Sequence, residues 1–166
     1  LSLSGNCCTD KKPSAMNWIH GRGKMVIAET FLPKSVLKDV LHIYDPKELV
    51  RLNQEKNLIG SALAGSIGGN NAHIANVVAG IFIATGQDIA QIGTSSVGLT
   101  QYEMERENNG NNGNNGNSNI ESGVKVSLTM PALEVGTVGG GTQLDAQRGA
   151  LEMLGIDNSL KPGENA

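Results

Sequence analysis

The sequence predicts an α+β fold in which a central buried helix is flanked by strands and further helices. Three observations carry that expectation. Val124, Val126, Leu128 and Met130 alternate with Lys125, Ser127 and Thr129, the period-two signature of a half-buried strand. The stretch "IANVVAGIFIAT", 74 to 85, is apolar on nearly every side, which predicts a helix enclosed all round. Helix start and stop signals complete the set: Asp45 precedes Pro46 and Glu48, Thr142 precedes "QLDAQRGALEML", and Gly155 ends it.

In chain order, "KMVIAETFL" (24 to 32) is an apolar, β-rich run closed by Pro33, hence a strand. Ser35 is expected to cap a short helix whose Val36, Leu37, Val40 and Leu41 share one apolar face. The helix opened by Asp45 carries Leu49, Val50 and Leu52 and runs toward "EKNLIGSALAGSIGGNN". Small residues there and beyond (Ala62, Ala64, Gly65, Ala75, Ala79, Gly80) allow close helix approach. Inside the apolar helix region, His73 and Asn76 need polar partners, and the simplest reading of His73 is a satisfied core histidine. "SSVGLTQYEME" and "VKVSLTM" flank the tract 108 to 119, which holds only Asn, Gly and Ser. That composition cannot build a core, so the two strands are expected to form a hairpin with an elongated polar tip.

Composition narrows the function classes. Hydrophobic residues make up 39% and charged residues 17%, enough to expect a packed core. A net charge of −3 argues against nucleic acid as the main partner. Between Asp10 and Lys24, however, Lys11, Lys12, Arg22 and Lys24 face a single acid, which suits either an anionic ligand or a solvated basic surface. Cys7 and Cys8 are adjacent with no third cysteine, so neither a zinc knuckle nor a C-x-x-C redox pair fits, and no metal site is expected. Free thiols suit a reducing compartment. No secretory signal pattern is present, and the longest apolar run falls far short of the ~20 residues a membrane helix needs. The opening "LSLSGN" and closing "PGENA" read as an internal fragment of a longer protein. "GTVGGGT" (136 to 142) follows a strand and precedes a helix, as a phosphate-binding loop does, yet it has neither G-x-G-x-x-G spacing nor a Walker lysine. It reads equally as a ligand contact or a tight turn.

Taken together, "CTDKKPSAMNWIHGRGK", "EKNLIGSALAGSIGGNNAHIANVVAGIFIATGQD", "TMPALEVGTVGGGT" and "LEMLG…PGENA" resemble the class I 3-hydroxy-3-methylglutaryl-coenzyme A reductases. The stretches occur in that family's order along nearly the whole chain, and the Asn/Gly tract is the main departure.

The resemblance implies an enzyme that reduces hydroxymethylglutaryl-CoA to mevalonate and CoA with NADPH in two hydride transfers. It implies that residues 1–12 form a catalytic loop leading into a large domain (13–166), with an insertion at 108–119. Lys11 matches the catalytic lysine and Asp88, in "GQD", the aspartate that hydrogen-bonds it. Ser4, Asp10, Lys12, Lys56 and Asn76 match residues around the hydroxymethylglutaryl group. Val40, Leu41 and His42 lie where the family touches coenzyme A, with His42 in place of the usual lysine. Gln87, Asp88, Val138, Gly139, Gly140 and Gly141 match contacts to NADPH. The family's catalytic glutamate and histidine would lie outside residues 1–166, in a homodimer or homotetramer with active sites between subunits. The parent would be held at the endoplasmic-reticulum membrane with its catalytic part in the cytosol. Two rival readings are a non-catalytic glycine-rich nucleotide-binding module and a pseudoenzyme.

Overall fold

A computed structural model describes Leu3, residues 5–107 and residues 121–156. Ser4, the Asn/Gly tract 108–119 and "PGENA" lie outside the described residues. The architecture mixes helix and strand, as an α+β chain should: α1 (Ala15–His20), β1 (Lys24–Pro33), α2 (Lys34–Asp39), α3 (Pro46–Leu52), α4 (Gly60–Leu63), α5 (Ile74–Thr85), α6 (Ile92–Ser95), β2 (Leu99–Glu107), β3 (Glu121–Leu133) and α7 (Asp145–Met153). A π-helical stretch, Asn53–Ile59, joins α3 to α4, and short 3₁₀ turns occupy Ile89–Gln91 and Gly140–Gln143. The three strands form one sheet in the order β1-β3-β2, with β2 and β3 antiparallel from Leu99↔Thr129 to Glu107↔Glu121. The expected hairpin is therefore present.

The chain divides into two compact units. The described residues within Leu1–Val26, Ile67–Gly98 and Met130–Ala166 belong to the first; those within Ile27–Ser66 and Leu99–Thr129 belong to the second. In the second unit Asp45 caps α3, its carboxylate accepting from Lys47 N–H at 3.0 Å, with Pro46 at the first helical position. The buried Asn53 amide donates to the Thr100 carbonyl at 3.2 Å and accepts from Asn57 at 2.7 Å, so its polar atoms are satisfied where the helix widens. Ser35 does not cap α2. The helix starts one residue before it, after Pro33, whose fixed φ suits the entry and which offers no side-chain acceptor. Of the four apolar residues expected on that helix, Leu37 is fully buried, whereas Val40 and Leu41 lie past its end and are exposed.

The first unit carries the candidate site. Its core draws on Ile74, Val78, Phe82, Val97, Met130, Ala132 and Leu151. The α5 residues Ile74, Val78, Phe82 and Thr85 follow a 4-4-3 spacing and bury one face, with α6 and α7 among its neighbours. Val77, Ile81 and Ile83 remain substantially exposed, so α5 is buried on one side rather than all round. His73 is also not a core residue: it is the exposed N-cap of α5, its Nδ1 lying 3.4 Å from the exposed Asn76 amide. Thr142 does not cap α7. Its hydroxyl turns back and donates to Gly139 O at 2.6 Å, locking the 3₁₀ turn, and α7 starts three residues later. The end of α7 is as expected. Gly155 at φ +80° closes it, with Gly155 N–H on Glu152 O and Ile156 N–H on Leu151 O, the paired bonds of a Schellman stop.

Candidate active site

Residues 9–12 form a tight turn closed by Lys12 N–H on Thr9 O at 3.1 Å. Lys11 occupies the left-handed region, φ +59°, which costs a non-glycine residue about 1–2 kcal/mol and persists only where surrounding contacts fix it. Those contacts are present. Just downstream, Ser14 caps α1, and the buried Asn17 amide reaches back to donate to Lys12 O at 3.0 Å. Trp18, on the same helix, donates its indole N–H to Ile67 O at 2.8 Å.

The partner of Lys11 arrives from the far end of α5. That helix stops at Gly86 in the left-handed conformation, φ +71°, with Gln87 N–H on Phe82 O at 2.9 Å. Asp88 then opens the Ile89–Gln91 turn, its Oδ1 accepting from Ala90 N–H at 3.0 Å. The second carboxylate oxygen is left for Lys11, whose Nζ lies 3.1 Å from Asp88 Oδ2. About half of each side chain remains solvent-accessible, so the pair is open to a ligand. The Asp88 hydrogen bond, followed by its charge, raises the Lys11 ammonium above the ordinary lysine range. In return, Lys11 and then the Ala90 N–H hold the Asp88 carboxyl below the usual carboxylate range.

Asp10 sits beside this pair in a second cluster. Its Oδ1 accepts from Gln91 Nε2 and from Arg22 NH2, each at 2.8 Å. Arg22 Nε also lies 2.9 Å from Glu134 Oε1. That contact is an ion pair between two buried atoms. The Gln91 hydrogen bond, ahead of the Arg22 contacts, lowers the Asp10 carboxyl.

A glycine-rich segment forms the neighbouring wall. Gly136 N–H donates to Gln87 Oε1 at 2.8 Å, and Gly86 and Gly141 pack backbone to backbone. A Cβ on Gly86 would sit 2.4 Å from the Gly141 carbonyl carbon, so the close approach requires glycine. Gln87, Asp88, Val138 and Gly139–Gly141 all line one cleft of about 680 Å³, with Gln91 and Glu134 on its wall.

The structure thus gathers Lys11, Asp10, Asp88, Gln87 and the 138–141 segment in one unit. It does not gather the whole predicted set. Lys12 turns into its own loop, with Nζ at 3.0 Å from Cys8 O. Asn76 lies on the exposed first turn of α5, paired with His73 and not among the cleft-lining residues. Lys56, Val40, Leu41 and His42 are exposed residues of the second unit, with His42 at φ +57°. Sequence reasoning missed Gln91 and Glu134 and noted Arg22 only as local charge. One signal was available: Gln91 stands three residues after Asp88, the separation that a single hydrogen-bonded turn closes.

An ammonium held on a carboxylate beside an open cleft belongs to the class of arrangements able to stabilise negative charge on a bound oxygen. Residues 1–164 match the family model described as hydroxymethylglutaryl-coenzyme A reductase, and the chain belongs to that family. It is 49% identical over 168 residues to the 3-hydroxy-3-methylglutaryl coenzyme A reductase of Penicillium citrinum, 51% to that of Blattella germanica and 50% to reductase 1 of Dictyostelium discoideum. In each case all of this chain is covered, but it spans only 13%, 18% and 28% of those relatives.

Proposed function

We propose that this chain supplies the lysine–aspartate part of the active site of an enzyme that reduces hydroxymethylglutaryl-CoA to mevalonate and free CoA. The observation that carries the proposal is the 3.1 Å approach of Lys11 Nζ to Asp88 Oδ2. Reduction of a thioester builds negative charge on the carbonyl oxygen at each of two steps. Lys11 donates a hydrogen bond to that oxygen, and Asp88 keeps the ammonium charged and aimed. Donors placed in this way contribute on the order of 3–4 kcal/mol each to transition-state stabilisation. Asp10 and Lys12, with Ser4, Lys56 and Asn76, would bind the hydroxymethylglutaryl group, and Val40, Leu41 and His42 would face coenzyme A.

The cleft suits a dinucleotide such as NADPH. Gly139 and Gly140 have positive φ, and a Cβ built on either meets no atom within 4 Å, so the wall there is bare, accessible backbone. Gln87, Asp88, Val138, Gly139, Gly140 and Gly141 would hold the cofactor, whose nicotinamide ring supplies hydride when bound.

In this reading residues 1–12 form a catalytic loop and 13–166 belong to a large domain with an insertion at 108–119. The remaining glutamate and histidine come from outside this chain, in a homodimer or homotetramer anchored at the endoplasmic-reticulum membrane. No helix among the described residues is long and apolar enough to cross a membrane. The expected result is that the full-length protein oxidises two NADPH per CoA released from hydroxymethylglutaryl-CoA, while the isolated segment oxidises none. A full-length protein that binds NADPH but leaves it unoxidised in the presence of the thioester would refute the proposal.

A further inference from the structure

Asp10 and Lys11 are consecutive, and they are gripped by the two ends of a single turn. Asp88 begins the Ile89–Gln91 turn and holds Lys11; Gln91 ends it and holds Asp10. Gln91 N–H closes the turn on Asp88 O at 2.9 Å, so the two residues are the ends of one hydrogen-bonded turn. Both grips therefore come from one turn. Gln91 is nine-tenths buried, and its orientation is dictated: a carboxylate at 2.8 Å accepts only from the amide nitrogen. Among the described residues the buried amide oxygen has no hydrogen-bond partner, and the side chain's one hydrogen bond is the amide nitrogen's to Asp10. Arg22 secures the same Asp10 oxygen from another direction, bracing it against Glu134, whose own N–H is held by Ser95 Oγ at 3.0 Å. The Lys12 N–H bond to Thr9 O and the Asn17 amide on Lys12 O hold the turn after Lys11, and the grips on Asp10 hold the residue before it.

We infer that Gln91 is a positioning residue for Lys11, acting through Asp10 as the second jaw of a two-point clamp whose first jaw is Asp88. The inference rests on the proposed role of Lys11. If the turn slackens, Lys11 can relax to negative φ, and its ammonium then loses alignment with the reacting oxygen. Substrate binding by the rest of the site changes less, so kcat falls more than KM rises.

The test uses the full-length enzyme carrying Gln91→Met, which keeps length but donates nothing, and Gln91→Glu, which keeps shape. Gln91→Met should lower kcat about 10-fold with KM within about twofold, a loss confined to the transition state. For Gln91→Glu the charges facing residue 91 are Asp10, Arg22, Lys11, Asp88 and Glu134. At neutral pH the new carboxylate repels Asp10 and activity drops further. On acidification its O–H becomes a donor again, so activity relative to the unsubstituted enzyme should rise as pH falls from 8 to 5.5. A merely structural role would not produce that relative rescue. If Gln91→Met fails to fold, the pH profile of Gln91→Glu carries the test alone. Both variants within twofold of the unsubstituted kcat, with a flat relative profile, would overturn the clamp. Asp88→Asn, assayed in parallel, separates the two failures: if it is impaired while the Gln91 variants are not, only the clamp is wrong, and if it is unimpaired, the reading of the site is wrong as well.

Discussion

Asp88→Asn in the full-length enzyme is expected to lower kcat by on the order of 10²-fold or more, with a smaller change in KM. The substitution preserves shape, and an amide oxygen can still accept from Ala90 N–H, so the turn persists. What disappears is the charge that keeps Lys11 protonated and pointed. Because the Asp88 hydrogen bond is the largest influence raising Lys11, its loss moves the alkaline limb of the kcat profile to lower pH. Lys11→Arg should fail similarly, since a planar fork cannot replace a compact point charge at one oxygen. The linkage has a definite sign at both ends. The raised Lys11 contributes stability below the ordinary lysine range and loses it as pH rises through the shifted value. The depressed Asp88 contributes above the ordinary carboxylate range and loses it as pH falls through the shifted value. The pair is thus fully effective across neutrality. An Asp88→Asn enzyme with more than about half its activity would show that the pair is not the reacting centre.

Gly86→Ala has the next largest effect, and it acts on stability and on the site together. Gly86 ends α5 at φ +71°, where a Cβ costs about 1–2 kcal/mol. That Cβ would also sit 2.4 Å from the Gly141 carbonyl carbon and 2.9 Å from Thr142 N, both backbone atoms that move only with their segment. Overpacking of this kind adds roughly 1–3 kcal/mol. The relief comes from spreading the two cleft walls, which carry Gln87 and Asp88 on one side and Gly141 on the other. Displacement approaching 1 Å costs on the order of 10²-fold in rate. Gly80→Ala is the control: it lies inside α5, and its Cβ meets no atom within 4 Å, so it should be neutral or slightly stabilising. Equal thermal melts and equal activities for the two variants would contradict the close-packing account.

Local chemistry made much of the fold legible. Pro33 ends β1, Asp45 and Pro46 open α3, the 124–130 alternation marks β3, and Gly155 stops α7; each works within a few residues. Features that depend on how the chain folds back on itself were not legible. Thr142 looks like a cap, but its hydroxyl prefers Gly139 O once the glycine loop folds back. An apolar circumference on α5 cannot reveal which face the chain itself covers. The π-helical stretch around Lys56 carries no breaker residue to announce it, and α1 lies hidden in a segment that reads as charge. The site divides along the same line. Its glycines and charged loop are conspicuous, but nothing local pairs Lys11 with Asp88 across 77 positions, and that expectation came from family resemblance. Gln91 was missed because its function depends on a carboxylate 81 residues away.

The most direct test of the central claim is a double-mutant cycle on kcat in the full-length enzyme, using Lys11→Ala, Asp88→Ala and the pair together. If Asp88 acts by holding and charging Lys11, removing it from an enzyme that already lacks Lys11 should cost almost nothing. The double variant should then fall within about threefold of Lys11→Ala alone, the strong non-additivity of groups that work as a unit. Losses that simply multiply, with a double variant about 10²-fold below either single one, would mean that the two residues act independently and would contradict the account.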